Sequence, residues 1–134
     1  MKLLTIFWCM VIFVCTCTRN QSALVHHLEI SFVLSKPKFV DLFKIHDMFV
    51  HSPNWYLYKA GHIMLFAILG VLAFYSFKHR KHALIFAVSV ALATEILQLF
   101  FSRDGRLYDV GIDSVGVWLA YLLCQHRSAR SSQV

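Results

Sequence analysis

Three pairs of polar residues stand at one-turn spacing in an otherwise apolar chain: Lys59 and His62, Glu95 and Gln98, Asp109 and Asp113. Separations of three or four residues put both members of a pair on one face of a helix. Arg103 and Arg106 fall between the last two pairs. These residue types allow three chemistries. Glu95 or an aspartate could act as a general base while Arg103, Lys59 and His62 hold an anion. Carboxylates inside a membrane could carry protons or ions. Oxygen ligands from Glu95, Asp109 and Asp113, with His62, would also suit Mg²⁺ or Ca²⁺. No spacing demands such an ion, so neither a metal nor a cofactor is expected.

The elements that must position these groups follow from composition. The chain has 134 residues, 58% hydrophobic and 15% charged, with 12 Phe and 3 Trp. Its length fits one domain, and soluble domains carry roughly 25% charged residues. Lipid is therefore the expected solvent. The net charge of +6 comes from basic residues at the ends of apolar runs, which suits membrane lipid head groups and excludes nucleic acid as a partner. Cys9, Cys15, Cys17 and Cys124 lie in apolar runs without a CxxC pair, so no zinc site or disulfide framework is indicated.

Four runs are candidate spans: Leu3 to Thr18, Ala60 to Phe77, Ala83 to Phe101 and Leu107 to Cys124. Each has about 16 to 19 residues, near the lower limit for crossing a bilayer as a helix. Backbone groups in lipid must be satisfied internally, which selects helix, and no period-two alternation supports a barrel. The first run resembles a signal peptide, but no small-x-small site precedes Arg19, so a retained helix is expected. The fold class predicted is an all-α integral membrane bundle of about four transmembrane helices. A leading helix covers 1–18, an extracytoplasmic, interfacial connection 19–58, a three-helix core 59–124 and a disordered polar tail 125–134. Within the connection, "KFVDLFKIHDMFV" (Lys38 to Val50) reads as an amphipathic interfacial helix, and Trp55, Tyr56 and Tyr58 as an aromatic belt. Lys2, Lys78, Arg80, Lys81, Arg127 and Arg130 crowd one side without acidic neighbours, which predicts cytoplasmic termini.

With these spans, residues 101 to 106 form a hairpin, Gly105 supplying the turn. Glu95 then lies on the order of 9 Å below it. Asp109, Asp113, Lys59 and His62 reach a similar depth. Asp109, Asp113, Gly116 and Ala120 share one stripe of the last helix, where small residues allow close helix approach. An unpaired carboxylate at the middle of a span costs about 2.5–3.5 kcal/mol, so the acids are expected to face inward and meet Arg103, Arg106, Lys59 and His62 in one network. Arg106, Asp104 and Asp109 also fit ordinary interfacial residues. Glu95, Gln98 and Asp113 lie deeper, where a specific role is favoured.

"KAGH" opening one span and "EILQLFFSRDGRLYDVGIDSVG" closing the next pair resemble the VanZ-like family of small bacterial membrane proteins. The family pattern is Lys-x-x-His, Glu-x-x-Gln, a hairpin Arg and Asp-x-x-x-Asn/Asp-x-x-Gly. It falls on Lys59, His62, Glu95, Gln98, Arg103, Asp109, Asp113 and Gly116, over about residues 56 to 124. The hairpin is one residue shorter than the family's and lacks its Pro-Gly, and Phe66 replaces a frequent Tyr. The resemblance implies a multi-pass protein of the bacterial cytoplasmic membrane, linked through the family's founding member to teicoplanin susceptibility. Expected partners are membrane lipid and a lipid-linked cell-wall precursor or glycopeptide. Four short helices make a thin bundle, so a homo-oligomer is also expected. Besides an accessory binding protein, a membrane enzyme acting on a lipid phosphate and a proton or ion pathway remain open. The lack of HExxH, GxSxG and P-loop motifs tilts the reading away from an enzyme.

Overall fold

The computed structural model describes residues 1–45 and 53–131. It is all-α among the described residues: α1 (Lys2–Cys17), α2 (Gln21–His27), a 3₁₀ turn (Phe39–Phe43), α3 (Pro53–Ser76), α4 (Arg80–Phe100) and α5 (Leu107–Ser131). Length and composition let α3, α4 and α5 each cross a membrane, and α1 with α2 adds a fourth span if that pair, bent by 116°, counts as one. The protein is an all-α membrane bundle. Its sixteen-residue α1 rises only about 24 Å, short of a hydrocarbon core of roughly 30 Å.

The sidedness of the helices matches a lipid solvent. Leu3, Phe7, Met64, Ile85, Trp118 and Leu123 are exposed, whereas Glu95, Gln98, Asp109 and Asp113 are buried. α3 packs most extensively on α5. A Cβ on Gly70 would meet Ala120 Cβ at 3.0 Å and the Val117 carbonyl at 3.1 Å, and one on Gly116 would overlap the Ile63 carbonyl. Small residues at these crossings let the two backbones approach. On α4 the buried positions run Ala83, Ala87, Ala91 and Glu95, every fourth residue. Ile12, Phe66, Leu69, Ala87, Ala91 and Val117 join all four long helices in one apolar cluster. α1 is fastened to α3 by Trp8 Nε1 donating to the Leu65 carbonyl (3.0 Å) and by Thr5 Oγ1 with Ser76 Oγ (2.7 Å).

Two expectations are corrected. The tail is helical through Ser131, because α5 runs past Cys124 without a breaking residue; residues 132–134 lie outside the described range. The amphipathic helix expected from Lys38 is, in its described part, only a 3₁₀ turn, with Lys44 already extended. Residues 46–50 of that stretch lie outside the described residues. The chain before it folds back over the end of α4 instead. Ser35 donates its N–H to the Phe100 carbonyl (2.9 Å) and its hydroxyl to the Leu99 carbonyl (3.3 Å), covering helix-end acceptors that α4 cannot satisfy itself. Phe13, Phe32 and Phe101 cluster beside this contact, Phe13 stacked on Phe32 and Phe101 edge-on to both, with centroids 5.5–5.8 Å apart. Composition alone gave no hint of it.

Candidate functional site: a polar cluster at one end of the bundle

α3 and α5 begin, and α4 ends, at the same end of the bundle, so their polar turns meet. Glu95 on α4 is fully buried. Its Oε1 accepts from Gln98 Nε2 at 2.7 Å, and its Oε2 accepts from the backbone N–H of Arg106 at 2.8 Å. That N–H heads α5, where unsatisfied amides and the helix dipole favour an anion. The contact depends on Gly105. A Cβ there would overlap the Glu95 backbone carbonyl, so the missing side chain seats the hairpin on the last turn of α4. This revises the turn-forming role expected of Gly105. The left-handed residue of the hairpin is Ser102 (φ 54°), and no glycine has positive φ.

The aspartates take cations from α3. Lys59 Nζ is bonded to Asp109 Oδ1, and the ammonium lies 5.0 Å from the Tyr108 ring centroid and 5.6 Å from that of Trp55. His62 Nδ1 stands 3.4 Å from Asp113 Oδ1. That approach makes no hydrogen bond, and His62 Nδ1 and both Asp113 carboxylate oxygens are buried without hydrogen-bond partners. His62, Glu95 and Asp113 each offer a ligand atom within 4.8 Å of the others.

The arginines depart from the expected network. Arg103 donates through a terminal nitrogen to the Arg19 carbonyl (3.3 Å), and its Nε is buried without a partner. Burial lowers its pKa from the ordinary guanidinium value, opposed by nearby Glu95 and Asp104; the group stays charged. Arg106 is only 5% exposed, so it is no plain interfacial residue. It reaches Asp104 at 3.6 Å and the Lys44 carbonyl at 3.5 Å.

A cavity of about 150 Å³ opens beside the cluster, lined by Lys59, His62, Gln98, Arg103 and Asp109 among others. Glu95 and Asp113 lie behind this wall, while Gly116 and Ala120 sit further along α5 at the crossing with α3. Sequence reasoning missed Gln21, Trp55, Tyr58 and Tyr108 as lining residues. Trp55 and Tyr58 stood out only as belt aromatics, and Gln21 gave no signal because α2 was not foreseen.

An apolar bundle enclosing a polar cluster at one end defines a multi-helix membrane protein with a buried polar site. The VanZ/LLP1 family profile matches residues 2–128, and the chain belongs to that family. It is 31% identical over 121 residues to the "Uncharacterized membrane protein YwnJ" of Bacillus subtilis (strain 168), covering 90% of this chain and 86% of that protein. No solved structure matches the chain significantly.

Proposed function

We propose that this VanZ/LLP1 membrane protein acts in the bacterial cell envelope as a binding protein for the anionic head of a lipid-linked ligand, a cell-wall precursor in kind. Through that ligand it changes susceptibility to glycopeptides of the teicoplanin type. One observation carries the reading. The polar cavity adjoins an apolar hollow of about 250 Å³ that includes Leu24, Leu57 and Leu65, and the two share Gln21, Tyr58 and His62. A ligand with a charged head and a hydrocarbon tail needs such a pair of neighbouring environments. The partnerless Arg103 Nε supports an anionic head, since a buried donor without an acceptor costs about 1–3 kcal/mol.

In this reading the protein sits in the cytoplasmic membrane with the polar end outward and both termini cytoplasmic. The basic cluster Lys78, Arg80 and Lys81, in the turn and the start of α4 at the opposite end of the bundle, supports that orientation. The test is teicoplanin susceptibility of a bacterial host producing the chain. Wild type lowers susceptibility, and Arg103→Gln, accumulating to the same level, does not. Equal protection by the two chains would sink the proposal.

A further inference from the structure

We infer that His62, Glu95 and Asp113 form a binding site for one divalent transition-metal ion, zinc or manganese. No metal-binding spacing marks this site in the sequence, because its donors come one each from α3, α4 and α5.

The Asp113 side chain is fully buried and neither carboxylate oxygen has a hydrogen-bond partner. Ordinary burial of a carboxylate pairs or hydrogen-bonds it, since an isolated charge in an apolar interior is strongly disfavoured. His62 reaches Asp113 only as an ion-pair contact at 3.4 Å without a hydrogen bond, and the other cations turn elsewhere. Lys59 is bonded to Asp109, and Arg103 points to the Arg19 carbonyl. Beside Asp113 stands a second carboxylate, Glu95, whose ligand atom shares the 4.8 Å cluster. Two adjacent carboxylates repel, and a dipositive ion between them balances both charges.

The His62–Asp113 geometry points the same way. The separation is 3.4 Å, and the pair makes no hydrogen bond. That distance equals the spacing of about 3.4 Å between two ligands of a tetrahedral ion with bonds of about 2.1 Å. A ligand atom of Glu95 lies within 4.8 Å of both, and an ion between the three would draw them together. Glu95 is held ready for this. Each of its oxygens accepts one hydrogen bond, from Gln98 or from the Arg106 N–H, and keeps a lone pair for an ion. Such outer partners orient metal-binding carboxylates. One imidazole with two carboxylates suits zinc or manganese better than calcium or magnesium, which favour all-oxygen sets. Three protein ligands leave at least one position free, and His62 also lines the cavity. The inference does not depend on the lipid-linked ligand.

Metal analysis of the full chain, purified in detergent on a tag without histidines, tests it. After incubation with zinc or manganese and dialysis, wild type retains about one ion per chain. Asp113→Asn and His62→Gln each retain less than about a tenth of that. Replacing the exposed pair by His79→Ala and His82→Ala leaves the ion in place. Thermal melting runs alongside: zinc raises the melting temperature of wild type and of neither site variant, which separates a lost ligand from a lost fold. A wild-type chain that keeps no zinc or manganese overturns the inference. So does a folded site variant that holds as much as wild type, or loss of the ion in the His79 and His82 variant. Should both site variants aggregate, cobalt(II) added to wild type decides. Visible bands of a low-symmetry imidazole–carboxylate site support the inference, and the spectrum of aqueous cobalt overturns it.

Discussion

The two halves of this bundle are built on the same three helix stripes and solve opposite problems. Along α3 the inward positions pass from Lys59 and His62 to Phe66, Leu69 and Ala73. Along α4 they pass from Ala83, Ala87 and Ala91 to Glu95 and Gln98, and along α5 from Asp109 and Asp113 to Gly116, Val117 and Ala120. One half is therefore small and apolar, and it closes by fit. The other half is charged, and it closes by partners. In lipid the apolar half gains little from burial alone, because its surroundings are equally apolar, so contact quality decides its stability. The polar half has no such freedom, since each unpaired group there is costly. Shape should govern the apolar half, and chemistry the polar half apart from the tight hairpin at Gly105.

The largest expected effect comes where shape is tightest. Gly116→Ala drives a Cβ into the Ile63 carbonyl, and Gly105→Ala drives one into the Glu95 carbonyl. Both obstacles are backbone and cannot rotate away. A loss of about 3 kcal/mol is expected for each, at the upper end for overpacking, read as a fall in melting temperature in detergent. Gly61→Ala and Gly111→Ala meet nothing within 4 Å, so they should melt no lower than wild type, helped by about 0.5–1 kcal/mol of helix propensity. Equal losses at all four glycines would show that the close approaches at Gly116 and Gly105 do not set them apart from open helix surface.

Next comes the charge pair. Lys59→Met strands Asp109, which is 7% exposed, and should cost about 2 kcal/mol. Adding Asp109→Asn should recover most of it, because the stranded charge is then gone. A double variant as unstable as Lys59→Met alone would show that packing, not charge, is what the lysine supplies. In the apolar half, Ala87→Val adds volume beside Ile12 and Phe66 and should cost about 1 kcal/mol in the same melting assay. The smallest effect belongs to Asp104→Ala. Its side chain is 71% exposed and its pair with Arg106 spans 3.6 Å, so a change within about 0.5 kcal/mol is expected. A larger drop would show that the hairpin's outer face is as constrained as its inner one.

The spans were legible in the sequence because lipid leaves a chain few options. Apolar runs beginning near residues 60, 83 and 107 become α3, α4 and α5; α3 and α4 begin a few residues earlier than expected, and α5 runs past its expected end. The convergence of Lys59, His62, Glu95, Gln98, Asp109 and Asp113 could be read from helical spacing and a short hairpin, since both fix depth and face. What could not be read was how each group is satisfied. Glu95 was expected to meet the cations of that network, and its hydrogen bonds come instead from the Gln98 amide and the Arg106 backbone N–H. Backbone donors leave no mark on residue identity. The segment containing Arg19 and Ser35 was legible only as a connection, because its contacts are single carbonyl and hydroxyl bonds without periodicity. Gly105 looked like a turn former by type, and only the placement of the Glu95 carbonyl reveals that it serves a close approach.

The central proposal is that the polar half binds an amphipathic anion. Native mass spectrometry of the purified protein with a polyprenyl pyrophosphate, and with free pyrophosphate for comparison, tests it most directly. The polyprenyl compound should bind wild type and Ala87→Val alike and bind Arg103→Gln about tenfold more weakly, as loss of one charge-assisted contact implies. Free pyrophosphate should bind far more weakly, lacking a tail for the hollow that contains Leu24, Leu57 and Leu65. No binding by wild type, or equal binding by wild type and Arg103→Gln, would contradict the account.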